Sequence, residues 1–272
     1  MSQTGRWGSS ETVVAGLGYH DVTEHPTESG FQRDGAAAYK LRTSVFAEHL
    51  DRISATSLRP ALVTEIDLTQ PGRHLLLTFD DGGKSALKIG DELCRRGWRG
   101  HFFISTSLIG RRTFLNASEI RELRRAGHVV GSHSHSHPDI YRELHWEQMV
   151  VEWRRSSDIL AQLLGEPCTT GAVPGGEISS QVLRSGGAAG LRYLFTSEPS
   201  LKPQIVGGCW VLGRFCVKTS VGAEEIAELA RFQGWAGKLL VRRIKNAACR
   251  TMPTLYRLYV SRSIREWQET ST

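Results

Sequence analysis

Two short stretches hold the residues whose types and spacing could do chemistry. "TFDDG", Thr78 to Gly82, sets two aspartates side by side ahead of a glycine pair. "GSHSHSHPD", Gly131 to Asp139, sets His133, His135 and His137 at alternate positions. Asp-Gly is a common turn pair; buried, however, adjacent carboxylates need a cation to hold at least one of them. The histidines are compatible with one ligand face of a strand, a polar surface segment, or a functional pair with a passenger between them. Pro138 and the Ser-His alternation favour a loop at a strand's end. An acidic pair and a histidine cluster, each closing a predicted strand, suit zinc or another divalent transition ion.

The elements that must position these stretches alternate between strand and helix. "VVAGLGYHDV" reads as a strand and "SVFAEHLDRI" as a helix with Phe46, Leu50 and Ile53 on one face. "RHLLLTF" is a continuous apolar run, the mark of a strand buried on both faces. "KSALKIGDELCRRG" predicts a helix stopped at Gly97, and "NASEIRELRRAG" another with Asn116 as N-cap, Glu119 three residues on and Gly127 as the stop. "HFFISTS", "HVVGSHS", "TTGAVPGG" and "LRYLFTSEP" supply further strands, with helices across "HWEQMVVEWRRSSDILAQLLG" and "SSQVLRSGGAAG" between them. Such alternation implies βα units around a parallel sheet, open or closed, with functional residues at strand ends.

"TFDDG" followed one βα pair later by His133-Ser134-His135-Ser136-His137-Pro138 resembles the first two motifs of the NodB-like polysaccharide deacetylases. The resemblance implies an α/β fold, a distorted (β/α) barrel of the NodB-homology type with a helical C-terminal tail. The catalytic domain then spans residues 12–217 and a basic helical extension residues 218–272. It also implies one divalent ion, zinc first with cobalt, manganese or nickel as alternatives, held by Asp81, His133 and His137. Asp80 takes the place of the catalytic base, Ser134 of the hydroxyl that shapes the loop, and His135 that of a variable position. The third motif is partial: Pro174 and Gly176 match "GAVPGG", but Ala172 stands where the family has an arginine. Arg214 in "LGRF" is a replacement candidate. Glu198 in "FTSEP" occupies the fourth motif's place and is a candidate acid. No histidine follows His145, so the late general-acid histidine is absent; His20, ending the first strand, could reach the barrel mouth. The implied reaction is hydrolysis of acetamido groups of a poly- or oligosaccharide. Hydrolysis of a non-carbohydrate amide, or glycan binding without turnover, are the alternatives.

The chain has 272 residues, 40% hydrophobic and 23% charged, with a formal net charge of +6, the profile of an ordinary globular protein with a mild preference for anionic partners. Five scattered cysteines form no CxxC pair. "MSQTGRWGSSETVV" lacks an apolar signal region, which sets the expectation of a cytoplasmic protein, peripheral at most to the inner membrane face. From Leu229 to Arg265 nine Lys or Arg occur and no Asp or Glu. Such a basic, apolar-striped segment either packs on the barrel by its apolar face or lies on an anionic membrane. Pro253 is expected to break it. An acetylated amino-sugar polymer or oligomer, free or lipid-linked, is the expected partner; no nucleic acid is expected.

Overall fold

The computed structural model describes residues 11–176, 178–251, 257–258 and 260–261. In chain order its strands are β1 (Thr12–Tyr19), β2 (Asp21–Val22), β3 (Lys40–Leu41), β4 (Gly72–Phe79), β5 (His101–Ile104), β6 (Val129–Ser132), β7 (Thr170–Ala172), β8 (Tyr193–Phe195), β9 (Gln204–Val206), β10 (Cys209–Leu212) and β11 (Phe215–Cys216). The α-helices are α1 (Asp34–Ala37), α2 (Thr43–Ser54), α3 (Ser85–Arg95), α4 (Ala117–Arg125), α5 (Trp146–Leu164), α6 (Ser180–Ala188), α7 (Ala223–Ala230) and α8 (Trp235–Thr251). Nine strands form one curled sheet in the order β11-β1-β4-β5-β6-β7-β8-β10-β9, parallel except for β9 against β10. The sheet is a half-barrel, the distorted form of the expected (β/α) barrel. β2 and β3 make a separate two-stranded pair.

The apolar runs become strands because both of their faces find cover. Val14, Leu76, Phe103, Ala172, Phe195 and Leu212 pack inside the curl. Leu17, Leu77, Phe79 and Phe102 pack outward against Phe46, Leu50, Ile89 and Leu93 of the helices. Ile226, Leu229 and Ala230 of α7 join the same outer core. The capping box of α4 forms as its residues require: Asn116 Oδ1 accepts from the amides of Ser118 and Glu119, and Glu119 accepts from the Asn116 amide at 2.7 Å.

His101 is fully buried in β5 with both ring nitrogens engaged: Nε2 accepts from the Val63 amide and Nδ1 donates to Leu77 O, each at 2.9 Å. Burial pushes its pKa down from 6.5 to about 4, and protonation would break the Val63 bond. Because the folded pKa is depressed, the contribution is complete above about pH 6.5 and is lost as pH falls toward 4. Denaturant titrations at about pH 7.5 and pH 5 are expected to show about 2 kcal/mol less pH-dependent loss in His101→Gln than in the parent. Equal losses in the two proteins would mean that His101 does not carry this dependence.

Candidate active site

Strand register brings the carboxylates together with a cation. β1 and β4 run parallel in unbroken register, Tyr19 opposite Phe79, and the Asp80 amide donates to Tyr19 O at 2.9 Å. His20 and Asp80 therefore leave the same end of the sheet side by side. On the other side of β1, Gly18 lies opposite Cys216 of β11, so Arg214 enters next to Gly16. A Cβ on Gly16 would lie 2.7 Å from Gly213 O and 2.9 Å from Arg214 Cγ. Only glycine leaves room there for the guanidinium stem.

Arg214 crosses beneath β1 and grips Asp80 with two parallel bonds, Nη1 donating to Oδ1 at 2.7 Å and Nη2 to Oδ2 at 2.9 Å. Its Nη1 also reaches Thr78 Oγ1 at 2.9 Å and its Nε donates to Thr196 O. The guanidinium has no solvent exposure and lies near the Phe103 and Phe195 rings. Burial pushes the Asp80 carboxyl up, but Arg214 and then His133 outweigh it and hold the group below its ordinary value. A buried arginine thus reaches Asp80 from the link between β10 and β11, a late part of the chain that the sequence expectation places on a strand.

Beside this pair, donor atoms of Asp81, His133 and His137 lie within 4.8 Å of one another, all three residues buried. His133 Nε2 is 3.3 Å and His137 Nε2 3.6 Å from Asp81 Oδ1. The His133 Nδ1–H donates to Ala172 O at 2.9 Å, which turns Nε2 toward the centre. Burial pushes the ring's pKa down, but Asp80 and Asp81 outweigh it and hold it above its ordinary value. Burial pushes the His137 pKa down to about 3, so this ring is neutral. Burial raises the Asp81 carboxyl, and a hydrogen bond from His133 with the neighbouring histidine charges brings it below its ordinary value. Two imidazoles and one carboxylate in a dry cluster fit a divalent transition ion, which would take the place of any proton on the ligating nitrogens.

The backbone is bent to make this cluster. Asp81 (φ 74°), Ser134 (φ 65°) and His137 (φ 52°) are three of the four non-glycine residues with positive φ among the described residues. Strain of this kind persists where the surroundings enforce it. Here Ser134 Oγ accepts from the His137 amide at 3.1 Å, and Glu152 of α5 accepts from the amides of His135 and Ser136 at 2.9 and 2.8 Å. His135 turns away and bonds Thr106 Oγ1 at 2.9 Å.

A cavity of about 510 Å³ opens over these groups. His20 lines it, its ring tilted at 39° against that of Tyr39 and its buried Nδ1 unpaired. Gly176 lines it as well, at the end of the turn begun by the buried Pro174. Glu198, the candidate acid, is not among the residues that line the cavity. Its carboxylate accepts from Arg242 Nε at 2.8 Å and Asn246 Nδ2 at 3.0 Å, while its neighbours Ser197 and Pro199 face the cavity. Sequence reading also missed Asp21, buried and bonded by Ser29 and Ser85 with Lys40 nearby. Its one local signal is its place directly after His20. Phe31, whose ring centroid is 4.8 Å from that of His137, and Glu152 carry no local signal at all.

Residues 67–194 match the family described as polysaccharide deacetylase. A peptidoglycan-N-acetylglucosamine deacetylase of Listeria monocytogenes is 27% identical over 138 residues, 50% of this chain and 28% of that protein. A chitin deacetylase of Arthroderma benhamiae is 31% identical over 91 residues, 33% of this chain and 24% of that protein. The matched region thus spans about a quarter of each relative's length. In fold, the chain superposes on a polysaccharide deacetylase from Bacillus cereus with a TM-score of 0.69 at 17% identity, covering 81% of this chain and 69% of that one. IcaB from Ammonifex degensii gives 0.66 at 22% identity, covering 82% and 98%. The acidic and histidine motifs fold into one centre inside the segment, residues 67–194, that is similar to the polysaccharide deacetylase family.

Proposed function

We propose that the protein is a metal-dependent N-deacetylase that hydrolyses the acetamido groups of a poly- or oligosaccharide to acetate and free amine. The observation that carries this reading is a buried aspartate, Asp80, clamped by Arg214 next to a cluster of one carboxylate and two imidazoles. Asp81, His133 and His137 would hold the ion, zinc first. When bound, such an ion supplies Lewis-acid polarisation of a carbonyl and a nucleophile at neutral pH. Asp80 takes up the proton released as water adds to the acetyl carbon. Arg214 keeps Asp80 ionised and aimed, since both carboxylate oxygens retain a lone pair after the two guanidinium bonds. Cleavage of the C–N bond then requires a proton on the leaving nitrogen. His20, which lines the cavity, is the imidazole placed to bring a proton to that nitrogen. It would stand in for the histidine that the late part of the chain lacks.

His20→Ala is expected to lower kcat by about 10²-fold while leaving metal content unchanged. A full-rate His20→Ala variant would remove His20 from the reaction. The reading as a whole is tested by elemental analysis with an acetate-release assay on acetylated hexosamine oligomers, with zinc or cobalt supplied. One equivalent of metal and release of acetate are expected. A metal-free protein inert toward every acetylated sugar would overturn it, and faster turnover of small amides than of these oligomers would move the substrate outside carbohydrates.

A further inference from the structure

Helix α8 is mounted with its polar side toward the body. Trp235 is buried, and on the same side Lys238 pairs with Glu225, Arg242 with Glu198 and Gly176 O, and Asn246 with Glu198. The opposite side carries Leu240, Val241 and Ile244, which are 60%, 67% and 63% exposed. An ordinary surface helix does the reverse, burying its apolar stripe and wetting its charges. Packing on the barrel by the apolar stripe, one of the two arrangements the sequence allows, is not what occurs. Glu225 and Glu198 give the cationic side chains partners on the body, so that side is drawn in.

The exposed apolar side also lies at the active centre. Val241 is an exposed residue and at the same time a wall of the cavity, along with Lys238 and Arg242. Exposed Arg243 flanks it, and exposed Leu258 follows in the chain beside Arg257, which pairs with Glu143 at 3.0 Å. The expected break at Pro253 lies outside the described residues. Among the described residues no helix is long and apolar enough to cross a membrane.

We infer that the outer face of α8 docks the protein on an anionic lipid surface, with the rim of the cavity turned toward the headgroups. Apolar side chains flanked by cations, in a stretch with no acidic residue from Leu229 to Arg265, match the pattern of helices that lie in the headgroup layer. A second copy of the chain fits this face poorly, because two such faces would bring like charges together. A nucleic acid would satisfy the cations but leave Leu240 and Ile244 without cover. Under this docking the glycan reaches the cavity from the membrane side, as a sugar carried on a lipid would.

The test is co-sedimentation of the full chain with vesicles of phosphatidylcholine alone or with about one quarter phosphatidylglycerol, a readout independent of the reaction. Partition onto the anionic vesicles is expected to be about tenfold stronger than onto the neutral ones and to weaken with salt. The double variant Leu240→Ser/Ile244→Ser, and separately Arg243→Glu, are each expected to lose most of that partition. Acetate release from a soluble acetylated oligomer should be unchanged in both, which separates failure of docking from failure of the deacetylase reading. A parent protein that binds neither vesicle, or variants that partition like the parent, would overturn the inference. So would a concentration-dependent dimer in sedimentation equilibrium that Leu240→Ser/Ile244→Ser dissociates.

Discussion

Asp80→Asn is expected to lower acetate release by about 10²- to 10⁴-fold, the range for removal of a positioned general base, while the protein keeps one equivalent of metal. The side chain hardly changes in size, so cavity shape and the neighbouring Asp81, His133 and His137 stay as they are. What disappears is the proton acceptor and the negative charge that faces Arg214 at 2.7 and 2.9 Å. The split between the two readouts is the informative part. If Asp80 were a metal ligand instead of a base, metal content and turnover would fall together. If it served only to neutralise Arg214, turnover would fall no further than the stability of the fold requires. Elemental analysis and single-turnover acetate release on the purified variant distinguish the three, and full activity in Asp80→Asn would reject Asp80 as the base.

The centre was readable from local residues to the extent that its chemistry is local. Asp80 and Asp81 are neighbours in the chain, and His133, Ser134 and His137 occupy one turn, so their types and spacing carry the pattern directly. The parallel sheet was readable as well, because "HLLLTF" and "HFFI" lack the alternation of half-exposed strands. What sequence left open depends on partners far away along the chain. Arg214 reaches Asp80 across 134 positions, and its path depends on the absence of a side chain at Gly16. Glu198 resembles a motif acid until Arg242 and Asn246, 44 and 48 residues later, are seen to hold it. The direction of α8 is of the same kind. Periodicity separates its apolar and basic sides but cannot say which side meets Glu225 and Glu198 and which meets the outside. Asp21 escaped notice because a carboxylate between short strands has no signature until Ser29, Ser85 and Lys40 close around it.

That long-range pair makes the second large prediction. Arg214→Met is expected to destabilise the protein by about 3–5 kcal/mol, the cost of stranding one charge of a buried ion pair. The expected fall in melting temperature is roughly 6–20 °C. Methionine fills much of the aliphatic volume beneath β1 but leaves the Asp80 carboxylate in a site with almost no access to water. Burial then pushes its pKa up without Arg214 to oppose it, so less of the base is ionised near neutral pH and activity falls with stability. Loss of both properties in one variant cannot say whether Arg214 matters for the charge balance or for packing alone. The double variant Arg214→Met/Asp80→Asn decides this, because neither residue then carries a charge. If the pair is the cause, the double variant regains most of the lost stability, with a coupling of more than about 2 kcal/mol, yet stays inactive because the base is gone. A double variant as unstable as the two single losses added together would mean that Arg214 acts by its packing against Phe103 and Phe195. The aspartate would then have to be kept ionised by the neighbouring histidines instead.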